Sequence, residues 1–110
     1  MKNYVQEGDT LTLTAPYARS AGEGALVGTL FGVACNDVAS GAAGEFAMEG
    51  VFDITALSTD TAAAGAKIYW DDTNKRLTTT ASGNTLVGAV TKAKGSGDTT
   101  ARVRLDGTIR

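Results

Sequence analysis

The 110-residue sequence contains no histidine, one cysteine and one proline. Each scarcity excludes something. Without histidine the chain lacks the commonest general base and the commonest metal ligand. Neither a Ser-His-Asp nor a Cys-His arrangement can be built within it. The single Cys35 leaves no internal disulfide framework. No Gly-Lys dipeptide occurs, which removes the phosphate-binding P-loop. Basic residues never form a block, and no apolar run is long enough for a membrane-spanning helix. The net charge of −2 is not the basic balance of a dedicated nucleic-acid binder. Met1 to Gly8 has no apolar core, so no signal peptide is expected. With an unpaired cysteine, this points to a protein made in a reducing cytoplasm, or exported only inside a larger particle. Aromatics make up only 6% of the chain, and Ala supplies much of the 43% that is apolar. The expected core is therefore thin, and such a domain gains by burying surface against copies of itself or a partner.

What is present is Thr, Gly and period-two alternation. Thr10-Leu11-Thr12-Leu13-Thr14 alternates strictly, and so does Ala101-Arg102-Val103-Arg104-Leu105, with both Arg outward. The strongest strand runs from Glu45 to Leu57. Phe46, Met48, Phe52, Ile54 and Ala56 share one parity, and Glu45, Glu49, Asp53 and Thr55 the other. Gly50 lies on the apolar parity and suggests a bend or bulge. Leu26 to Ala34 is nearly continuous apolar and reads as one buried strand. Ile68-Tyr69-Trp70 and Leu77-Thr78-Thr79-Thr80 flank a hairpin loop, Asp71 to Arg76. Leu86 to Ala93 gives another strand. Ser82-Gly83-Asn84, Gly95 to Asp98 and Asp106-Gly107 are turns. Ser58 to Gly65 carries a capping residue, an acidic first turn, alanines and a glycine, which predicts a short helix near residues 58–64. The fold class expected is all-β: a small β-barrel or sandwich of short, mostly antiparallel strands with that one helix. At this length the chain is read as a polar extended arm, 1–7, ahead of one β-barrel-like domain, 8–110.

Candidate chemistry is sparse. Glu45, Glu49 and Asp53 share a strand face, but four strand residues span about 13 Å, too far for a roughly 5 Å acid–nucleophile pair. Gly22-Glu23-Gly24-Ala25-Leu26-Val27-Gly28 has the wrong glycine spacing for a dinucleotide loop and leads into a strand. Cys35 reads as a small buried residue at a strand end. Trp70 reads as core, with a partner-facing anchor as the alternative. No enzyme activity, cofactor or metal is expected. Two sets of residues are candidates for contact with a partner. Lys2, Asn3, Tyr4, Val5 and Gln6 belong either to a frayed terminus or to an arm that adds a strand to a neighbour's sheet edge. Lys92, Lys94, Arg102 and Arg104 form the alternative nucleic-acid face, against the competing reading of a solubilising charged surface without interleaved aromatics.

Several stretches resemble one family. They are Tyr4-Val5-Gln6-Glu7-Gly8, Leu11 to Pro16, Phe31-Gly32-Val33-Ala34 with Val27-Gly28 ahead of it, and Gly44-Glu45 with Glu49-Gly50-Val51-Phe52. Ala64-Gly65-Ala66-Lys67-Ile68-Tyr69-Trp70-Asp71, Val87-Gly88-Ala89 and Val103-Arg104-Leu105 complete the pattern across almost the whole chain. The chain resembles the small phage and prophage proteins described as capsid cement or head decoration proteins, once labelled recombinase-like. The resemblance implies a β-barrel-like protein outside an icosahedral head, often a homo-trimer, whose partner is the major capsid protein and which stabilises the shell. It also implies location on the capsid exterior of the virion after assembly in the host cytoplasm. The alternative is a small β-barrel binding nucleic acid in phage recombination or packaging; net charge and few aromatics speak against that partner. The motifs are structural and carry the fold further than the function.

Overall fold

A computed structural model describes residues 10–106. The arm residues Lys2 to Gln6 and the Gly107 of the last expected turn lie outside the described residues. The described chain is all-β, with nine strands and no helix. They are β1 (Thr10–Thr14), β2 (Gly24–Val27), β3 (Leu30–Ala34), β4 (Ala43–Ala47), β5 (Glu49–Thr55), β6 (Lys67–Asp71), β7 (Arg76–Thr78), β8 (Thr85–Val90) and β9 (Thr100–Asp106). A four-stranded sheet has the order β1-β4-β3-β2, and a five-stranded sheet the order β5-β9-β8-β6-β7. All strand pairs are antiparallel. A parallel bridge between Ala56 and Leu77 brings the two outer strands of the larger sheet together and closes that sheet partway into a barrel.

The alternation read from Glu45 to Leu57 persists, but the run divides between the two sheets at Met48. β4 pairs with β1 and β3, whereas β5 pairs with β9. Phe46, Met48 and Ile54 are buried and Phe52 is half-buried, so the inward parity continues across the division. Gly50 has φ +130°, a value that favours glycine, and it sits where the chain passes from one sheet to the next. Leu26 to Ala34 is not one strand but the β2–β3 hairpin. Gly28 at φ +63° begins a two-residue turn with Thr29, while Val27 stays in register with Leu30. A positive φ at the first turn residue alone is the II′ geometry that suits strand twist.

The short helix expected near 58–64 is absent. Residues 58–59 and 64–65 are turns, and between them Ala62 exchanges backbone hydrogen bonds with Lys94 at 3.1 and 2.8 Å. Asp60, expected in the acidic first turn of that helix, serves other partners. Its carboxylate accepts from the Thr78 hydroxyl at 2.8 Å and the Thr79 amide at 2.9 Å. A helix this short carries the full cost of nucleation for few bonds, and the bonds to β7 and the 91–99 segment replace it. Cys35 is also not buried: it follows β3 and is exposed.

Two apolar clusters form. The larger gathers Ile54, Ile68, Trp70, Leu77, Val90, Val103 and Leu105 inside the five-stranded sheet, with Phe31 and Val33 entering from β3. Phe31 and Trp70 meet ring to ring at 5.0 Å and 50°. The smaller cluster, Ala15, Ala25, Ala34, Val38, Phe46 and Met48, lies on the four-stranded sheet.

Candidate functional site

β9 presents the candidate basic face. Its burial alternates strictly, so Arg102 and Arg104 point away from the core that Ala101, Val103 and Leu105 enter. The register sets their neighbours. Arg102 lies opposite Asp53, and Arg104 between Val51 of β5 and Ala89 of β8. Ala56 donates its amide to Thr99, which makes Asp53 and Arg102 a non-hydrogen-bonded pair, the kind whose side chains stand closest. The guanidinium takes both carboxylate oxygens, at 3.0 and 3.2 Å. That contact lowers the Asp53 pKa and raises that of Arg102. Both groups are exposed, so solvent screens the pair.

Lys92 and Lys94 differ although they are two residues apart. Lys92 is exposed and, with Lys94, Asp53, Asp98 and Arg102, borders an open polar cleft of about 390 Å³. Lys94 is only 5% exposed. Its ammonium turns inward and donates to the Asp60 carbonyl at 2.7 Å and to the Ser58 and Gly95 carbonyls at 3.4 Å. Lys94 therefore ties the segment after β5 to the segment before β9. The four basic residues do not form one accessible stripe: Lys94 is withdrawn, Arg102 is neutralised by Asp53, and Arg104 borders other clefts, near Glu49 and Lys67. Glu45 and Asp53 are likewise separated, for Glu45 sits on β4 and accepts from Thr12 at 3.0 Å.

Beside Lys94, burial raises the Asp60 carboxyl. The Thr79 amide, the Thr78 hydroxyl and the Lys94 charge outweigh burial and leave its pKa below the ordinary 3.8. Asp71 also titrates low, because Asn74 donates to it through side chain and backbone, fixing the β6–β7 turn in which Lys75 takes φ +55°.

A second polar cluster, which the sequence reading missed, joins the sheets. Tyr17, in the β1–β2 connection, donates its hydroxyl to Asp72 at 2.8 Å and accepts from the Leu26 amide at 3.0 Å. The Trp70 indole donates to the same Asp72 oxygen at 3.0 Å. Lys75 and Arg19 lie 4.3 and 5.1 Å from the Tyr17 ring centroid. Burial is the main cause that raises the Tyr17 pKa. Nothing in the spacing of Tyr17, Leu26 and Asp72 signals this contact.

Among the described residues no group of three Cys, Asp or Glu side chains stands in metal-binding geometry. The arrangement is that of a small all-β domain with a cross-strand ion pair, Asp53–Arg102, and polar contacts that join its two sheets. The chain belongs to the phage cement protein family, whose family model matches residues 5–105. No curated protein and no solved structure matches it significantly. Membership of a phage cement family gives the chain a structural role associated with the phage capsid.

Proposed function

We propose that this protein decorates the head of a bacteriophage, binding the outer surface of the shell and stabilising it. The family match over residues 5–105 carries the reading. The partner is the major capsid protein, the working form is a homo-trimer, and the site is the capsid exterior of the virion, reached after assembly in the host cytoplasm. Residues 8–110 act as one β-barrel-like domain, and the arm, with Lys2, Asn3, Tyr4, Val5 and Gln6, contacts a neighbour or the shell. Linkage supports the economy of this arrangement: three modest contacts on one trimer raise overall affinity by roughly 10²–10⁴ when all engage. The withdrawal of Lys94 and the pairing of Arg102 weigh against a nucleic-acid partner.

The test is co-sedimentation of the purified protein with expanded shells of the cognate major capsid protein, with duplex and single-stranded DNA as parallel ligands. Saturable binding to shells and a raised shell melting temperature are expected. Binding to DNA at physiological salt, falling steeply as salt rises, together with no binding to shells, overturns the proposal.

A further inference from the structure

Among the described residues, β5 is paired along one edge. Ala56 donates its amide to Thr99 at 2.9 Å, on the β9 side, and Leu57 donates to Leu77 at 2.9 Å, on the other side. Backbone groups alternate in direction along a strand. Phe52 and Ile54 therefore address β9, while Glu49, Val51, Asp53 and Thr55 address the opposite edge. No described strand pairs with that edge before Ala56 reaches Leu77. Its side chains are exposed, and Val51, at 55%, is the one exposed large apolar side chain among the described residues. Lysine, proline and short length, three of the guards of an edge, are missing from Glu49-Gly50-Val51-Phe52-Asp53-Ile54-Thr55, whose charged residues are Glu49 and Asp53.

The position of β1 indicates what covers it. Cys35 donates its amide to Glu45 at 2.9 Å, so the odd-numbered residues of β4 address β3 and the even-numbered ones β1. The inward parity is unbroken from Phe46 to Ile54, which places β1 on the same side of the β4–β5 path as β9. Thr10 stands opposite Ala47 and Asp106 opposite Glu49, so β9 closes off any continuation of β1 along its own β5. The open edge lies on the far side of the strand.

We propose that the open edge of β5 receives Lys2–Gln6 of a neighbouring copy as an added strand, each protomer giving one strand and taking one. This rests on the trimeric reading above, because a give-and-take contact is heterologous and closes into a ring, whereas β5 against β5 would make only a two-fold pair. Nine residues precede Thr10. Extended at about 3.3 Å per residue, Lys2–Gln6 cover about 16 Å of the roughly 23 Å of β5, and Glu7 to Asp9 leave about 10 Å to cross between copies. Charge agrees as well. Met1 to Gln6 carries one charged side chain, Lys2, and the exposed side of β5 carries Glu49 beside the Asp53 that Arg102 already pairs.

The experiment uses the full chain with Cys35→Ser as background. One tagged preparation carries a single cysteine at Asn3, Tyr4, Val5 or Gln6, and a second, differently tagged, carries Val51→Cys. Under mild oxidation, at least one mixture is expected to give a disulfide joining the two tags. No joined product from any of the four overturns the proposal. Sedimentation of the unaltered chain separates the two readings: a trimer without the cross-link sinks the edge pairing alone, and a monomer at every concentration sinks both. Val51→Pro gives an independent check. The Val51 amide addresses the open edge, so the substitution removes no described ladder bond, and it is expected to weaken trimer association at least tenfold. Association unchanged in the folded variant overturns the proposal.

Discussion

Lys94→Met removes the ammonium from three backbone carbonyls while keeping a long flexible side chain in the same buried place. One of the three bonds is short, 2.7 Å to Asp60, and two are long, 3.4 Å to Ser58 and Gly95. A hydrogen bond to a charged group contributes about 1.5–3 kcal/mol, and the long pair adds little. The carbonyls left behind keep part of their desolvation cost. Against this, the methionine avoids burying a charge and fills the volume with apolar atoms. The net expectation is a loss of about 2 kcal/mol, a fall in melting temperature of roughly 8 °C for a domain of this size. The comparison is Lys92→Met, which alters an exposed side chain and is expected to stay within about 0.5 kcal/mol. Urea unfolding followed by tryptophan fluorescence reads both variants, with Trp70 in the core as reporter. Equal stability of the two variants would refute the reasoning, because the two lysines would then be energetically alike. A double-mutant cycle with Asp60→Asn isolates the charge contribution: coupling near zero assigns the effect to the carbonyls alone.

Three further outcomes follow from the same contacts. Tyr17→Phe removes a hydroxyl that serves both Asp72 and the Leu26 amide and is expected to cost about 1–2 kcal/mol in urea unfolding; no loss would mean that water replaces it freely. Asp60 titrates below 3.8 when folded, so between the two values the unfolded chain binds more protons. Its contribution is complete above about pH 4 and is lost as pH falls through the folded value. Asp60→Asn should flatten the acid limb of a stability–pH curve, and an unchanged limb would contradict the assignment. Gly88→Ala would press a Cβ onto the Arg104 carbonyl and against Val103, at 3.0 Å from the latter. The obstacle is backbone, so a loss of about 3 kcal/mol or failure to fold is expected, and native-like melting would show that β8 and β9 separate easily.

Legibility in the sequence followed the range of the forces involved. The all-β class, the inward parity from Phe46 to Ile54, the β6–β7 hairpin and the outward Arg102 and Arg104 all follow from alternation and local turn chemistry, which a linear sequence displays. The Gly28-Thr29 turn was legible in principle, since glycine at the first position marks a II′ hairpin. The long apolar run concealed it, because both β2 and β3 contribute to the core. The Ser58–Gly65 segment carried real helix signals. They lost to Thr78, Thr79 and Lys94, partners 18 to 34 residues away along the chain. Lys94 shows the limit most sharply: nothing in Lys92-Ala93-Lys94 says which lysine turns inward, because Ser58, Asp60 and Gly95 decide it.

The two sheets are unequal in what holds them. The larger cluster contains Trp70, Ile54, Ile68, Leu77 and Leu105, all almost fully buried. Half of the smaller one is alanine, at Ala15, Ala25 and Ala34. Apolar stabilisation scales with the area removed from water, about 25 cal/mol per Å², so the four-stranded sheet gains little from its own core. It is held instead by attachment: the β4–β5 passage, Phe31 against Trp70, and the Tyr17–Asp72 bond. Those attachments converge on the edge of the larger sheet and on the β6–β7 turn. A partner that binds only the folded state adds its binding free energy to stability. Because the two sheets share the Phe31–Trp70 and Tyr17–Asp72 contacts, a partner bound to either one would support the weakly cored β1 to β4 as well.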